Sequence, residues 1–491
     1  MKTSDPSLKV SSKLSENRKY LTEKLGAGES IDVLTKDLDL GGKKGFLFYI
    51  DGLTEGEVVA LILQKLTQIT RTELCPHPIQ KLATQKIAYM ELEVFTELPA
   101  IIDEVLSGQM ALFLEGEKEA IVIDTRTYPA RSPEEPDTER LTRGSRDGFV
   151  ETMMFNIALT RRRVRDPGLR VEGIRLGRRS KTDVALVYIK DIADPKLVDN
   201  IRGRLQRIDV DGLPMAEKSV EEFITLNRWN IFPLVRYTER PDVAAQHLCE
   251  GHVLIMVDSS PAVMILPATL FHHLQHAEEY RQNILSGIYV RWIRFFAVLI
   301  SVFLAPLYLL VSLQPEFLPE ALKFIGPQKV GKIPLFVQFI FIHFGIDLIR
   351  IAGIHTPDPL TTALSLIAAL LIGQIAIDVG IFTPEVLLYG GMVAVGMFAT
   401  SSWELSQANR LVHLFMLLVT GLFKLPGFVA GIVLILLRLI TNNSFGVPYL
   451  WPLIPFNLQG FFSVILRQPL PFEKRRPAAL QPTDEDKVPQ K

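Results

Sequence analysis

The sequence predicts an α/β domain made of two related subdomains, followed by an all-α membrane domain with several spans. Residues 293–313 form an apolar run long enough to cross a bilayer, and nearly all of the chain after it is apolar. A strand, helix and hairpin pattern occurs twice before that run. The resulting division of the 491 residues is a disordered tail (1–28), α/β subdomain 1 (29–130), a linker with a basic helix (131–182), α/β subdomain 2 (183–280), the membrane domain (281–466) and a charged tail (467–491).

The composition and motifs argue against several classes of function. The net charge is −1, so no nucleic-acid partner is expected. The two cysteines, Cys75 and Cys249, are too few and too far apart for a disulfide framework or a zinc site. The sequence contains no GxSxG, Walker A, CxxC or HExxH pattern, so we expect neither catalysis nor a cofactor. The opening residues lack the apolar region of a cleavable signal, so the first apolar span is expected to direct insertion.

Three segments are predicted to have no packed structure. Residues 1–28 are rich in Ser, Lys and Glu without a hydrophobic period, which is typical of a mobile tail that contains at most one short helix. Thr127–Asp137 contains three prolines and is expected to be an extended linker. The charged residues at the C-terminus are expected to be disordered.

The soluble part contains one pattern twice. In each copy a short apolar strand leads into a helix, and a second helix then ends at a glycine before a hairpin. The first copy comprises Lys44–Ile50, the helix from Thr54, the helix Glu97–Leu106 with Gly108, and the hairpin around Glu115. The second comprises Asp183–Ile192, Pro195–Leu205, Pro241–Cys249 with Gly251, and the hairpin around Asp258. Since 59 residues separate Tyr49 from Gly108 and 63 separate Tyr188 from Gly251, we expect two subdomains of one topology. The alternative is a coincidence of common strand and helix patterns.

A glycine-containing segment with arginines lies between the copies. It reads RGSRDGFVE over residues 143–151 and precedes a basic helix with Arg161, Arg162, Arg163 and Arg165. Such a turn could hold a phosphate or a carboxylate. In the alternative, Gly144 and Gly148 permit a structural turn and the arginines pair with nearby acids.

Ile293–Leu313 is the first predicted span. At about 1.5 Å per residue its helix is roughly 31 Å long, close to the hydrocarbon thickness of a bilayer. Arg281, Arg291 and Arg294 precede or begin it, so the N-terminal domain is expected to be cytosolic. A buried helix of a soluble protein is the alternative.

Further spans are predicted in the second half of the chain. They cover residues 333–354, 361–382, 386–400 and 411–440, the last being broken or a hairpin at Lys424–Gly427. The chain would therefore cross five or six times, and the basic tail at Lys474–Arg476 favours six. Small residues such as Gly390, Gly391 and Ala394 permit close helix packing, which favours a homo-oligomer.

Two spans carry polar residues at helical spacing. His343, Asp347 and Arg350 fall on one face of the second span, and Gln374 and Asp378 lie four residues apart on the third. Ionisable groups at membrane depth usually face a bundle interior or water, so these five residues are candidates for a pore or a subunit interface. In the alternative, Asp347 pairs with Arg350 near the cytosolic end and Asp378 lies at the outer end of its span.

The chain resembles the A subunits of spore germinant receptors, the GerA family. The similar stretches are residues 143–152 (with Arg143, Gly144, Arg146, Gly148 and Glu151), Asn156, 232–242 (with Glu239, Arg240 and Pro241), 290–295, 347–357, 371–384 and 444–456. Within that family, residues 121–129 and 448–452 look like the stage V sporulation protein AF branch.

This resemblance implies a multi-pass protein of the spore inner membrane, with its N-terminal domain on the spore core side. It implies a homo-oligomer around a membrane pore that releases ions at germination. It also implies a B-type membrane subunit and a lipoprotein subunit as partners. The alternative is a non-conducting scaffold or signalling subunit.

Overall fold

The computed structural model describes most of the chain. The described residues are 8–87, 91–128, 139, 141–225, 227, 229–317, 319–320, 326, 332–355 and 373–488. They form a soluble region of two mixed α/β subdomains and a helical bundle, as the sequence predicts.

Each subdomain is built on a five-stranded antiparallel sheet. The strands of the first sheet are β1 (Val33–Leu40), β2 (Lys43–Ile50), β3 (Leu92–Phe95), β4 (Met110–Leu114) and β5 (Ala120–Ile123). The strands of the second are β6 (Leu169–Leu176), β7 (Thr182–Ile189), β8 (Arg236–Thr238), β9 (Val253–Val257) and β10 (Val263–Leu266). Their spatial orders, β1-β2-β4-β5-β3 and β6-β7-β9-β10-β8, are the same, so the predicted repeat is confirmed at the level of topology.

The repeat extends to local details. Gly108 and Gly251 follow equivalent helices, with φ of 105° and 103°, a left-handed conformation that glycine adopts without a Cβ penalty. Glu115 and Asp258 also occupy equivalent positions. The backbone N–H of Glu115 donates to the Lys44 carbonyl at 2.9 Å, and that of Asp258 donates to the Asp183 carbonyl at 3.0 Å.

Helices cover both faces of each sheet. In the soluble region they are α1 (Leu14–Leu25), α2 (Gly56–Thr67), α3 (Arg71–Leu74), α4 (Pro78–Lys81), α5 (Leu98–Ser107), α6 (Met153–Arg163), α7 (Pro195–Gln206), α8 (Ala216–Ile224), α9 (Pro241–Glu250), α10 (Leu270–Leu274) and α11 (Ala277–Arg281). In the second sheet, Val184 and Leu186 point towards α7 and α8, whereas Ala185 and Val187 point towards α6 and α9. Burial on both faces explains why these strands are continuous apolar runs rather than alternating ones.

Two boundaries differ from the sequence prediction. The predicted disordered tail 1–28 contains α1, whose Leu21 and Leu25 are buried in the core of subdomain 1. The predicted linker 131–182 contains α6 and β6, and both belong to subdomain 2. Strands β1 and β6 escaped prediction because polar residues interrupt their apolar pattern.

The two subdomains are joined through the segment before β1. The backbone N–H of Ile31 donates to the Val171 carbonyl at 2.9 Å, which extends the edge of the second sheet. Arg161 of α6 donates from Nε and Nη2 to the two carboxylate oxygens of Asp32 at 2.9 and 3.1 Å. Both side chains are buried, so each charge depends on the other.

The bundle contains α12 (Ile284–Leu313), α13 (Leu335–His355), the short α14 (Ala376–Asp378), α15 (Pro384–Phe398) and α16 (Trp403–Thr441). Of the described helices, α12, α13 and α16 are long and apolar enough to cross a membrane, and the apolar α15 is shorter. The predicted spans 293–313, 333–354 and 386–400 correspond to α12, α13 and α15, with ends shifted. Most of the predicted span 361–382 lies outside the described residues.

Helix α16 is a hairpin with two arms. Lys424 has φ 54° and ψ −133°, which breaks the helix beside Pro426. A Cβ placed on Gly431 would lie 2.6 Å from Sδ of Met416, so the second arm returns along the first. The backbone N–H of Leu425 at the tip donates to the side chain of Gln314, which follows the last residue of α12. The arms, 403–423 and 425–441, are about 31 and 25 Å long at roughly 1.5 Å per residue.

Both ends of the hairpin lie beside the soluble region. Ser401 Oγ, before the first arm, donates to the Leu274 carbonyl of α10 at 3.0 Å. Arg438, in the last turn of the second arm, donates to the side chain of Asn230. We call this the proximal end of the bundle and the hairpin tip the distal end.

After the hairpin, β11 (Asn443–Ser444) pairs with β12 (Val447–Pro448), and α17 (Leu458–Ile465) packs at the base of α12. Buried Arg291 donates to the Ser463 and Val464 carbonyls at the end of α17. Such a cation satisfies carbonyls that a helix end leaves unpaired.

The C-terminal segment packs on subdomain 2, whereas the sequence predicts that the last, charged residues of the tail are disordered. We call residues 474–488 the C-terminal strap. Thr483 N–H donates to the Ile192 carbonyl at 2.9 Å, and Arg476 donates to the Cys249 carbonyl at 2.8 Å. Lys487 pairs with Glu250 and Glu473 at 3.1 Å each. The strap therefore ties the end of the chain back to the soluble region.

Candidate membrane polar site

A row of polar side chains crosses the interior of the bundle between α13 and the first arm of α16. On α13 it contains His343, Asp347 and Arg350, which share one face as their spacing predicts. The facing side chains of α16 are Gln407, Arg410 and His413, three residues apart. We call these six residues the polar ladder.

The first rung joins His343 and His413. Their Nε2 atoms are 2.8 Å apart, and His413 Nδ1 is 3.2 Å from the Val302 carbonyl oxygen. A carbonyl only accepts, so His413 carries its proton on Nδ1, and its Nε2 lone pair accepts from the Nε2–H of His343. Both rings are buried, so this rung is a satisfied neutral pair within the bundle.

The second rung is an ion pair between Asp347 and Arg410. The side chains of Asp347 and Arg410 are 21% and 20% exposed, so the ion pair is partly buried. An isolated charge at the centre of a span costs about 2.5–3.5 kcal/mol on insertion scales, and pairing offsets that cost. The partner of Asp347 in this rung is therefore Arg410 of α16, where sequence reasoning offered Arg350.

The third rung is formed by Arg350. Its guanidinium lies over the ring of Trp403, 4.0 Å from the centroid. The Gln407 amide, turned so that its oxygen faces Arg350, accepts from Nη2 at 2.7 Å. This cation–π contact and hydrogen bond hold the charge at the proximal end of the bundle.

The ladder opens into a cleft between subdomain 2 and the bundle. The cleft has a volume of about 1,410 Å³, and Arg350, Trp403 and Gln407 form part of its wall. Its opposite wall belongs mainly to α8 and β8. Six carboxylates line it: Glu139, Glu217, Glu221, Glu222, Glu239 and Glu404. Lys218, Arg236 and Arg350 line the cleft as well, and Lys218 and Arg236 pair with Glu221 and Glu139. The six carboxylates still outnumber the three cations, and an excess of negative charge raises the local concentration of cations.

Two residues predicted to belong to the polar membrane face lie outside the ladder. Gln374 and Asp378 are exposed on the bundle surface, and Val379, next to Asp378, accepts from Lys332 Nζ at 3.2 Å. The structure thus separates the 374/378 stripe from the ladder, and the partners of the first stripe come from α16. The sequence analysis does not include Gln407 and Arg410 because the predicted span begins at Leu411, and His413 lies inside that span without a recognised partner. The spacing of 407, 410 and 413 was the signal that could have found them.

Gly390, one of the small residues predicted to favour association between copies, packs inside the chain, as does Gly396 on the same helix. A Cβ on Gly390 would lie 3.3 Å from the side chain of Ile342, and one on Gly396 would lie 2.7 Å from the Ala297 carbonyl oxygen. Gly391, by contrast, faces open space. Close approach of α15 to α12 and α13 therefore uses two of these glycines.

The glycine-containing segment 143–151 is bound to the start of α9. Arg240 is fully buried and donates to the Ser145 carbonyl at 2.8 Å and the Glu139 carbonyl at 3.2 Å. The N–H of Phe149 donates to the Glu239 carbonyl at 2.7 Å. These contacts favour the structural interpretation of the segment over an anion site.

Other motif residues have local roles. The Asn156 side chain bonds both the N–H and the carbonyl of Val150, which closes the turn that precedes α6. Gly144 has φ 134°, and Pro241 is in the first turn of α9. Gly148 is buried, whereas Arg143, Arg146 and Glu151 are exposed.

A buried histidine cluster, which sequence reasoning missed, lies near the proximal end. The rings of His247, His252 and His272 have centroids 4.9 to 5.9 Å apart. Burial lowers the pKa of His247 to about 4 and that of His252 to about 3, and it holds the pKa of His272 well below its usual value. Among the described residues, no group of three or more His, Cys, Asp or Glu is placed to hold a metal ion.

Comparison with known proteins gives consistent matches along the chain. Residues 19–479 match the family model described as Bacillus/Clostridium GerA spore germination protein. The chain is 46% identical to stage V sporulation protein AF of Bacillus subtilis strain 168, over 95% of each chain. It is 29% identical to spore germination protein KA of the same organism, over 94% of this chain and 85% of the relative. The crystal structure of the N-terminal domain of the A subunit of the Bacillus megaterium spore germinant receptor GerK3 covers 54% of this chain and 99% of its own, with 27% identity and a TM-score of 0.43.

Proposed function

Because this chain belongs to the GerA family of spore germination proteins, we propose that it is a subunit of a spore germination membrane complex and forms an ion-conducting pathway that releases ions during germination. The observation that carries the proposal is the polar ladder. Six polar or ionisable side chains line one seam of a bundle whose other interior positions are mostly apolar. Such residues inside a membrane protein mark substrate and ion pathways.

The pathway begins at the acidic cleft and continues along the ladder. The glutamates of the cleft concentrate cations at its mouth. Arg350 and Asp347 then meet the ion in sequence, and a shift of the first arm of α16 relative to α13 would separate Asp347 from Arg410. The ion pair is therefore the closed state of the pathway, and its separation is the gating step.

The protein is placed in the spore inner membrane with its soluble region on the spore core side. Arg291 and Arg294 at the start of α12 support this orientation, since basic residues favour the cytosolic side of a span. The partners are other copies of this chain, a B-type membrane subunit and a lipoprotein subunit. Association of copies uses exposed small residues such as Gly391. A monomer at all concentrations in mild detergent would contradict the homo-oligomer.

A non-conducting scaffold or signalling subunit is the second candidate. It is favoured by the saturation of the ladder: Asp347 and Arg410 neutralise each other, and His343 and His413 are buried and bonded. In a scaffold, these paired groups would fix the packing of α13 on α16 and would not contact an ion.

Ion flux through the purified protein in liposomes separates the two functions. We expect Asp347→Asn to change the flux, because it removes the ladder carboxylate while retaining its shape. Asp378→Asn is the matched control, since Asp378 is exposed and outside the ladder, and it should behave as the parent. The same two variants in spores, at equal protein abundance, test ion release. If Asp347→Asn changed neither the flux nor the ion release, the conducting function would be rejected and the scaffold function would remain.

A further inference from the structure

An apolar patch projects from the soluble region near the proximal end of the bundle. It consists of Phe223, Trp229 and Ile231, which lie in α8 and in the connection to β8 and contribute to one rim of the cleft. Trp229 is 94% exposed, and Ile231 is 45% exposed. Large apolar side chains gathered at one place on a soluble domain usually mark a contact surface.

A hydrogen bond fixes the depth of this patch. The side-chain oxygen of Asn230, which lies between Trp229 and Ile231 in the sequence, accepts a hydrogen bond from Nη2 of Arg438 at 3.1 Å. Arg438 lies one turn before Thr441, where the second arm of α16 ends. Leu434 and Leu437 of the same turns are about half exposed and face outward from the bundle. The patch therefore continues the outer apolar surface of the bundle at the level where it ends.

Apolar side chains are also exposed at the base of α12 and around α17, at the proximal end of the bundle. Arg291 ties α17 to the base of α12, and both elements expose large side chains there. Those exposed side chains are Leu285, Tyr289, Trp292, Phe456, Leu458 and Phe462. Tryptophan and tyrosine at this depth are typical of a membrane–water interface.

We propose that the Phe223–Trp229–Ile231 patch inserts into the interfacial layer of the lipid bilayer and seats subdomain 2 on the membrane. The partner is lipid, because the patch is continuous with the surface that the spans present to lipid. The neighbouring glutamates of α8, Glu217 and Glu222, oppose attraction to anionic headgroups. Insertion is therefore driven by the aromatic and aliphatic side chains, and it occurs in a zwitterionic bilayer. The proposal is independent of ion conduction.

Depth-dependent quenching in the full-length protein tests this insertion. In a Cys75→Ser, Cys249→Ser background, Ile231→Cys carries an environment-sensitive fluorophore and leaves Trp229 in place. Val94→Cys is the matched control, because Val94 is 43% exposed but lies on the edge strand β3 of subdomain 1. The proteins are reconstituted in phosphatidylcholine vesicles containing lipids with a quencher high on the acyl chain.

We expect several-fold stronger quenching at position 231 than at position 94. Adding Trp229→Asp to the labelled Ile231→Cys protein should reduce the quenching towards the control, with an unchanged Tm showing that the chain is folded. Equal quenching at the two positions would overturn the proposal. Disulfide cross-linking between Ile231→Cys chains of two copies, without lipid quenching, would also overturn it by assigning the patch to an interface between copies.

Discussion

Arg161 and Asp32 show how a single residue pair can hold two subdomains together. Their side chains are 1% and 0% exposed, and the bond connects α6 to the segment that precedes β1. The sequence does mark Arg161 as one of a group of arginines. It does not reveal which arginine is buried, because the partner lies 129 residues away.

We expect Arg161→Met to destabilise the soluble region by about 3–5 kcal/mol, because it leaves the Asp32 carboxylate buried without a partner. The matched control is Arg178→Met, whose ion pair with Asp209 is exposed and should contribute little to stability. Thermal unfolding of both variants measures the difference. Equal Tm values would show that the buried pair does not stabilise the joint.

The buried histidine cluster makes stability depend on pH. Burial lowers the folded-state pKa of His247 from 6.5 to about 4, so between these values the unfolded chain binds more protons. The corresponding stability is complete above pH 6.5 and is lost as the pH falls towards 4, by roughly 3 kcal/mol for His247 alone.

Unfolding measured from pH 7.5 to 4 should therefore show a falling Tm. A His252→Phe variant removes one titrating ring from the cluster and should weaken the pH dependence. His77→Asn, at an exposed position outside the cluster, should leave it as in the parent. A parent protein with the same Tm across this range would refute the effect of the cluster.

At the scale of elements, the periodic patterns were predictable and their partners were not. The sequence indicated the face of α13 with His343, Asp347 and Arg350, because helical spacing is a local property. The partner of Asp347 depends on where the hairpin turns, and that turn is set by Lys424 and by packing of the two arms. The residues that face this stripe are therefore on α16, whereas the sequence predicts Gln374 and Asp378 of the third span.

Helix α15 provides a test of close helix packing. We expect Gly396→Ala to destabilise the bundle by about 1–3 kcal/mol, because the added Cβ meets the backbone of α12 at Ala297. Gly391→Ala, five residues earlier on the same helix, faces open space within one chain and should be neutral or stabilising by up to about 1 kcal/mol in the monomer. Thermal unfolding in one detergent compares them. A Gly396→Ala protein as stable as Gly391→Ala would mean that α12 and α15 are not in close contact.

For the whole molecule, the repeat of the two sheets was predictable because each copy carries the same order of local patterns. The structure of the two ends of the chain was not predictable from these patterns. Both termini have a polar composition, which is typical of disorder, but α1 buries Leu21 and Leu25 and the C-terminal strap is held by main-chain bonds. Such docking depends on surfaces formed by distant residues, and composition carries no information about them.

Removal of the C-terminal strap should loosen subdomain 2. Truncation after residue 473 leaves the Cys249 and Ile192 carbonyls and the Glu250 carboxylate without their strap partners. We expect a lower Tm and faster proteolysis in the α9 to β9 region, because the truncation removes several hydrogen bonds and ion pairs to that region at once. Truncation after residue 488 is the control. Identical proteolysis patterns for the two truncations would show that the strap contributes nothing.

The strap also has a consequence for the order in which the chain is made. Arg476 bonds a carbonyl 227 residues earlier in the sequence, so subdomain 2 leaves the ribosome long before the segment that completes its surface. Domains generally fold as units during synthesis, N-terminal ones first. Subdomain 2 must therefore remain soluble while the bundle is inserted, because the strap can close only after residues 474–488 have been made. Closure of the strap thus distinguishes chains that include these residues from those that stop before them.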